Sequence, residues 1–525
     1  MKRILFITLL ILLLPTWAWA ATYYISESTG ADVNAGSFAA PWKTLDKIQT
    51  GITTGDKGLL LCGDTWDYSD GDWGAGKTET LIVASNVTIG AYYNDGGAVE
   101  VDATHPASDH GGKPLIEGDV TDHTGSVSTW FCAFRIPANR SGITINDIKV
   151  QNYYRGFGIY QTTGYPGAIS DITLNRCDVN NVSHAGIHVS TVPSNQNNIS
   201  DITITGCALT LTQMYFDHLG GWGSALSMQY ADNYVIANNT VGQSHGEGIS
   251  VWGGADHGEI YNNLVYETAS VGIYISCCHD VNVHHNYVIG TTSATWSYSG
   301  YGKTRAGIGF GGETDNYGFI DSSGCVFQYN IVSGRTLGFS ITDPHNDSDD
   351  TSDGGYGTNY VYNNLFIDNY RNYWLYPTDG GELTVTFQNN LSVINDTASC
   401  NHIDNTSPSA SYTWLGNGWD NSEAVDSDYT HANDVSGDPD LVDPAPCTGG
   451  WYQCATIAPI IANFGAAAHG ASSAFINTAQ DLGDAYQVGL GAASEWPDSV
   501  LTLNQRTNWE IGPFVFGRKG PFVIN

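Results

Sequence analysis

His245 and Glu247 stand two residues apart in a stretch that reads as a β-strand, where alternation sends both side chains to one side. An imidazole and a carboxylate so placed suit an acid/base pair. Arg305 follows Lys303 in a chain that holds only 19 Lys and Arg. A cation there suits stabilisation of the enolate that forms when a base removes the proton beside a carboxylate. From Asn346 to Gly355 the chain reads Asn-Asp-Ser-Asp-Asp-Thr-Ser-Asp-Gly-Gly, which concentrates carboxylates in a turn-forming loop. Asp347, Asp349 and Asp353 offer the hard oxygen ligands that suit Ca²⁺, although their spacing is not that of an EF-hand. There is no Gly-x-Ser-x-Gly, no His-Glu-x-x-His and no phosphate-binding Gly loop.

The elements that must position these residues repeat. GEGISVWGGADHGEIYNNLVYE is followed by SVGIYISCCHDVNVHHNYVIG, so Gly248 falls 24 positions before Gly272. A repeat of this length replaces a globular core with stacked coils. Its Gly-apolar-x-apolar strand recurs at Gly158, Gly186, Ala225, Gly307 and Gly338. Between these strands runs a second signature, in which Asn239, Asn263, Asn286, Asn330, Asn364 and Asn390 fall at one place per coil. A buried turn needs its backbone groups paired, and an Asn amide can pair both with backbone and with the Asn one rung away, so these residues are expected to form an axial ladder. Aligned on the Gly strands, one face gathers His245, Glu247, Asp343, His345, Arg305 and Arg335, with Trp222, Trp252 and Tyr274 as platforms on which sugar rings could stack. Long excursions at Leu209–Trp222, Gly290–Ala306 and Pro344–Thr358 are expected to wall a groove on that face.

Residues 1–20 read as a signal peptide: Lys2 and Arg3, an apolar run from Ile4 to Leu14, then Ala18-Trp19-Ala20 as a cleavage site. The run is too short to span a membrane, and an exported monomer without a membrane span is expected. Removal of the peptide leaves 17 basic against 53 acidic residues, a formal charge of −36. That balance opposes nucleic acid and anionic membranes as partners. Residues 21–78 read as an N-terminal cap, 79–398 as the coils, and 399–525 as an irregular segment that packs along them or forms a small domain. All ten cysteines lie in the exported part. Cys447 and Cys454 bracket a loop that suits a local disulfide, while Cys177 and Cys207, one coil apart, suit either a disulfide or two stacked thiols.

The Gly strands, the Asn positions, the opening Tyr23-Tyr24-Ile25-Ser26 and the closing Trp509-Glu510-Ile511-Gly512-Pro513-Phe514 resemble the right-handed parallel β-helix proteins of the pectin-lyase-like fold, over roughly Leu81 to Ile394 in the coils. The resemblance implies an all-β protein, a right-handed parallel β-helix. It further implies a carbohydrate-active protein, most specifically a polysaccharide lyase or C5-epimerase on a uronic-acid polymer. Asp343-Pro344-His345, after the strand Gly338-Phe339-Ser340-Ile341, is similar to the Asp-Pro-His motif of β-helical mannuronan C5-epimerases. That similarity implies catalytic roles for Asp343 and His345, with Thr342 inserted before the motif and Asn346 standing where the family carries an acid. The paired Asp residues and Gly-His-Gly of polygalacturonases are absent. Because the fold also hosts adhesins, a non-catalytic carbohydrate-binding or cell-surface protein is the alternative.

Overall fold

The computed structural model describes residues 20–68, 79–120, 131–161, 167–191, 198–212, 214, 223–290, 306–311, 322–342, 357–375, 384–394, 401–405, 411–420, 434–436, 488–490 and 502–504. Three sheets of 14, 13 and 11 strands run side by side along the molecule, and the chain visits them in turn. One coil passes from Glu247–Trp252 in the third sheet to Asp256–Tyr261 in the first and Leu264–Thr268 in the second, then returns to the third at Ile273–Ser276. Neighbouring coils pair in parallel, as in Ile249 with Ile273 and Val265 with Val288.

Alternation explains the interior. Ile249, Val251, Ile273, Ile275, Ile308 and Phe310 of the third sheet point inward and are fully buried, and each stacks on its counterpart one coil away. Towards the far end the interior turns aromatic, with Phe339 and Phe387 edge to face at 5.9 Å and Phe387 stacked on Trp414 at 4.3 Å.

The corner between the first and second sheets is built from two residues in coil after coil. The first, Asn238, Asn262, His285, Tyr329, Asn363 or Asn389, is left-handed with φ between 53° and 56°. The second is the expected ladder residue. Asn263 Nδ2 donates to Asn286 Oδ1 (2.9 Å) and to the Ile236 carbonyl (2.9 Å), while its Oδ1 accepts from the Asn239 backbone N–H and Nδ2 (both 3.0 Å). The same pattern joins Asn286, Asn330, Asn364 and Asn390, and it runs on to Asn417. Cys177 and Cys207 occupy the same corner position as free, buried thiols, and the Cys207 N–H donates to Asn239 Oδ1 (2.9 Å). Cys447 and Cys454 lie outside the described residues.

The recurring glycine has a different cause. A Cβ on Gly307 would lie 2.1 Å from Val332 Cγ1 and 2.8 Å from the Gly338 carbonyl oxygen, so in this coil the corner leading into the third sheet has no room for a side chain. The register places Gly156, two residues before the expected Gly158, in this role, because Phe157 pairs with Ile187. Paired strands also continue beyond the expected coil limits of 79–398. Thr22–Ile25 and Lys57–Leu61 already belong to the first sheet, and Asn401–Asn405, Ser411–Leu415 and Gly418–Trp419 add a further coil. A short helix in the cap spans Asp46–Thr50.

Candidate functional site

From Arg140 onward the corners between the first and second sheets are two residues long and leave no chain to build on. Both borders of the third sheet carry the long connections: residues 213–223 and 290–305 lead into it, and 312–325, 343–357 and 376–383 lead out of it. The outer face of the third sheet is therefore the face with long connections on both of its borders.

Two rows of side chains point out from that face. Gly158, His188, Ser227, Ser250, Tyr274 and Gly309 stand in register along one. Gln229, Trp252, Ser276 and Gly311 follow Tyr160 and Ser190 along the other. Ser190 Oγ donates to Gln229 Oε1 at 2.7 Å. Trp252 and Tyr274 thus occupy adjacent coils of the outer face, Trp252 half-buried and Tyr274 only 7 % exposed.

The expected acid/base pair is not on one strand. His245 lies in the bend between Thr240–Ser244 of the second sheet and Glu247–Trp252 of the third, and its N–H donates to the Thr212 carbonyl. The Ser244-His245-Gly246 segment turns the chain there, so strand alternation does not apply between His245 and Glu247. Glu247 is buried and accepts a hydrogen bond from Ser224 Oγ at 3.0 Å. Arg335, expected to touch substrate, is instead 2 % exposed. Its Nη2 donates to Thr268 Oγ1 (3.1 Å) and to the carbonyls of Ser270 (2.8 Å) and Ala306 (2.9 Å), so the guanidinium ties earlier coils together at their corners. Arg305, Asp343, His345, Trp222, Asp347, Asp349 and Asp353 lie outside the described residues.

The structure brings together a cluster that sequence alignment scattered. Arg155 Nε approaches His184 Nδ1 at 3.4 Å, and the Arg155 guanidinium lies over the Tyr154 ring at 5.6 Å. His188 lies 6.4 Å from His184 and 6.2 Å from Tyr160 between ring centroids. Arg135 covers the Tyr160 ring at 5.6 Å and holds Glu79 through two bonds of 2.6 and 2.9 Å. Burial and then the Arg155 charge push His184 down to about 3, and the same two causes hold His188 well below the ordinary imidazole range. The legible signal was His188 at the outward position of Gly186-Ile187-His188-Val189.

Other histidines sit at the edge of the first sheet, each on a carboxylate. His257 Nδ1 meets Asp232 at 2.7 Å, which raises its pKa, and His279 and His284 meet Asp256 (3.2 Å) and Glu259 (2.9 Å). Among the described residues no group of three or more His, Cys, Asp or Glu is arranged to hold a metal ion, and no helix is long and apolar enough to cross a membrane.

A family model described as the right handed beta helix region matches residues 136–308. Among solved structures, pectate lyase Pel9A is similar at 15 % identity and a TM-score of 0.50, covering 91 % of this chain and 96 % of its own. The GH136 lacto-N-biosidase from Eubacterium ramulus is similar at 14 % identity and a TM-score of 0.46, over 76 % of this chain and 68 % of its own. The A-module of the Azotobacter vinelandii mannuronan C-5 epimerase AlgE4 gives 12 % identity and 0.44, over 74 % and 97 %. A search of curated sequences finds no match. The family model and the likeness to Pel9A establish the fold alone: the chain is a right-handed parallel β-helix of the pectin-lyase-like fold.

Proposed function

We propose that this chain is an exported, carbohydrate-active protein that receives an extended uronic-acid polymer along the outer face of the third sheet and acts on it as a lyase or C5-epimerase. The observation that carries the reading is the composition of that face. Trp252 and Tyr274 offer sugar-stacking rings, and further along the same sheet, beyond the Ser224–Gln229 coil, stand Arg135, Arg155 and two imidazoles in a chain otherwise dominated by acids. Removal of the proton at C5 needs a base, and the enolate that follows needs a cation nearby. Arg305, Asp343 and His345 remain proposed members of the site, and Ca²⁺ at Asp347, Asp349 and Asp353 would offset repulsion between the polymer and the acidic protein.

Incubation with polygalacturonate, polymannuronate and polyguluronate tests the reading. Unsaturated product seen by ultraviolet absorbance, or a changed epimer ratio by NMR, is the expected result. No change with any of the three removes it. The alternative, a non-catalytic glycan-binding protein, draws on the burial of Glu247 and on the bend that separates it from His245. Glycan binding that survives His345→Ala together with His245→Ala, with no turnover in either protein, favours that alternative.

A further inference from the structure

His188 differs from the histidines at the edge of the first sheet. Those hold carboxylates, whereas His188 Nδ1 is shielded from solvent with no hydrogen-bond partner among the described residues. A buried polar atom ordinarily has a partner, and an imidazole kept for structure ordinarily has its ring nitrogen engaged. Ile187 and Val189 on either side are fully buried in the core, so His188 projects from the outer face. Its neighbours in the row, one coil away on each side, are Gly158 and Ser227. The space over Gly158 is taken by the Cys132 thiol and the Tyr160 ring, which an added Cβ would meet at 2.4 and 2.7 Å, whereas on the other side the half-buried imidazole has only the small Ser227 beside it.

We propose that His188 is the general base of this face, taking the C5 proton of a uronosyl residue seated on its Ser227 side, with Tyr160 and Cys132 closing the side of Gly158. The proposal rests on the uronan reading above and names the residue that would perform it. The C5–H electron pair delocalises towards the carboxylate and then forms the C4=C5 double bond as the C4–O4 bond breaks. The bond pair leaves on O4, and the imidazolium returns its proton there, so one residue serves as base and then acid and ends neutral. Arg155 lies behind the imidazoles rather than in the subsite, because it is only 3 % exposed. Its field favours the developing negative charge, and burial first, then the Arg155 charge and His184, keep His188 in the neutral, proton-accepting form. The other titratable groups facing this cluster are Tyr154, Tyr160, Arg135 with its partner Glu79, and Cys132.

The test compares wild type and His188→Gln on the three uronans above. The expected result is a loss of about 100-fold or more in kcat with KM little changed. Ser227→Tyr fills the neighbouring place in the row and is expected to raise KM instead, which keeps the test decisive if the His188 variant does not fold. A wild type active on any uronan, with either variant retaining wild-type kcat and KM, overturns the role of His188 and leaves the uronan reading standing. A wild type inactive on all three overturns the reading, and this inference with it.

Discussion

At the residue scale the two imidazoles near Arg155 make stability depend on pH with a definite sign. Their pKa values are lower in the folded chain than the ordinary value of about 6.5. Below that value the unfolded chain takes up protons that the folded chain refuses, so this contribution is complete above about pH 6.5. It is lost as pH falls towards the folded value of about 3 for His184. The melting temperature should therefore fall between pH 7 and pH 4, and the fall should be shallower in the His184→Gln/His188→Gln protein. Equal slopes in the two proteins would show that both imidazoles titrate freely. His257 works in the opposite sense, since Asp232 raises it and favours its protonated, folded form at lower pH. Its exposed position makes that opposing contribution small.

At the scale of the element, the Asn corner binds one coil to the next. Each ladder amide uses both hydrogens and its oxygen, and Asn263 is fully buried while doing so. Asn263→Leu has similar bulk but strands the Asn239 N–H and amide and the Ile236 carbonyl. Each unpaired group costs about 1–3 kcal/mol, and the loss should appear as a lower denaturant midpoint. An unchanged midpoint would mean that water replaces the missing amide. The corner was legible in the sequence because every coil must solve the same backbone problem. His245 was misread for the converse reason: a two-residue bend looks like a continuing strand when its flanks are apolar and alternating. Arg335 reads as a groove cation until the carbonyls of Ser270 and Ala306 are seen to surround it.

At the scale of the molecule, an acidic chain with a formal charge of −34 must accommodate the polyanion proposed for it. Calcium held by Asp347, Asp349 and Asp353 is the proposed means, and a ligand that binds only the folded state stabilises it by mass action. CaCl₂ should raise the melting temperature more than NaCl at equal ionic strength, and Asp347→Ala/Asp349→Ala should abolish the difference. Equal shifts from the two salts would reduce the loop to a solvated acidic turn. The sequence by itself determined the inward alternation, the Asn ladder and the long connections beside one face, because burial and backbone pairing repeat in every coil. Tertiary structure decided which outward residues meet. A slip of two residues, as between Gly156 and Gly158, preserves every inside and outside assignment and so leaves no mark in the pattern. Only the stacking of coils, joined by connections of unequal length, brings Arg155, His184, His188 and Tyr160 to one place.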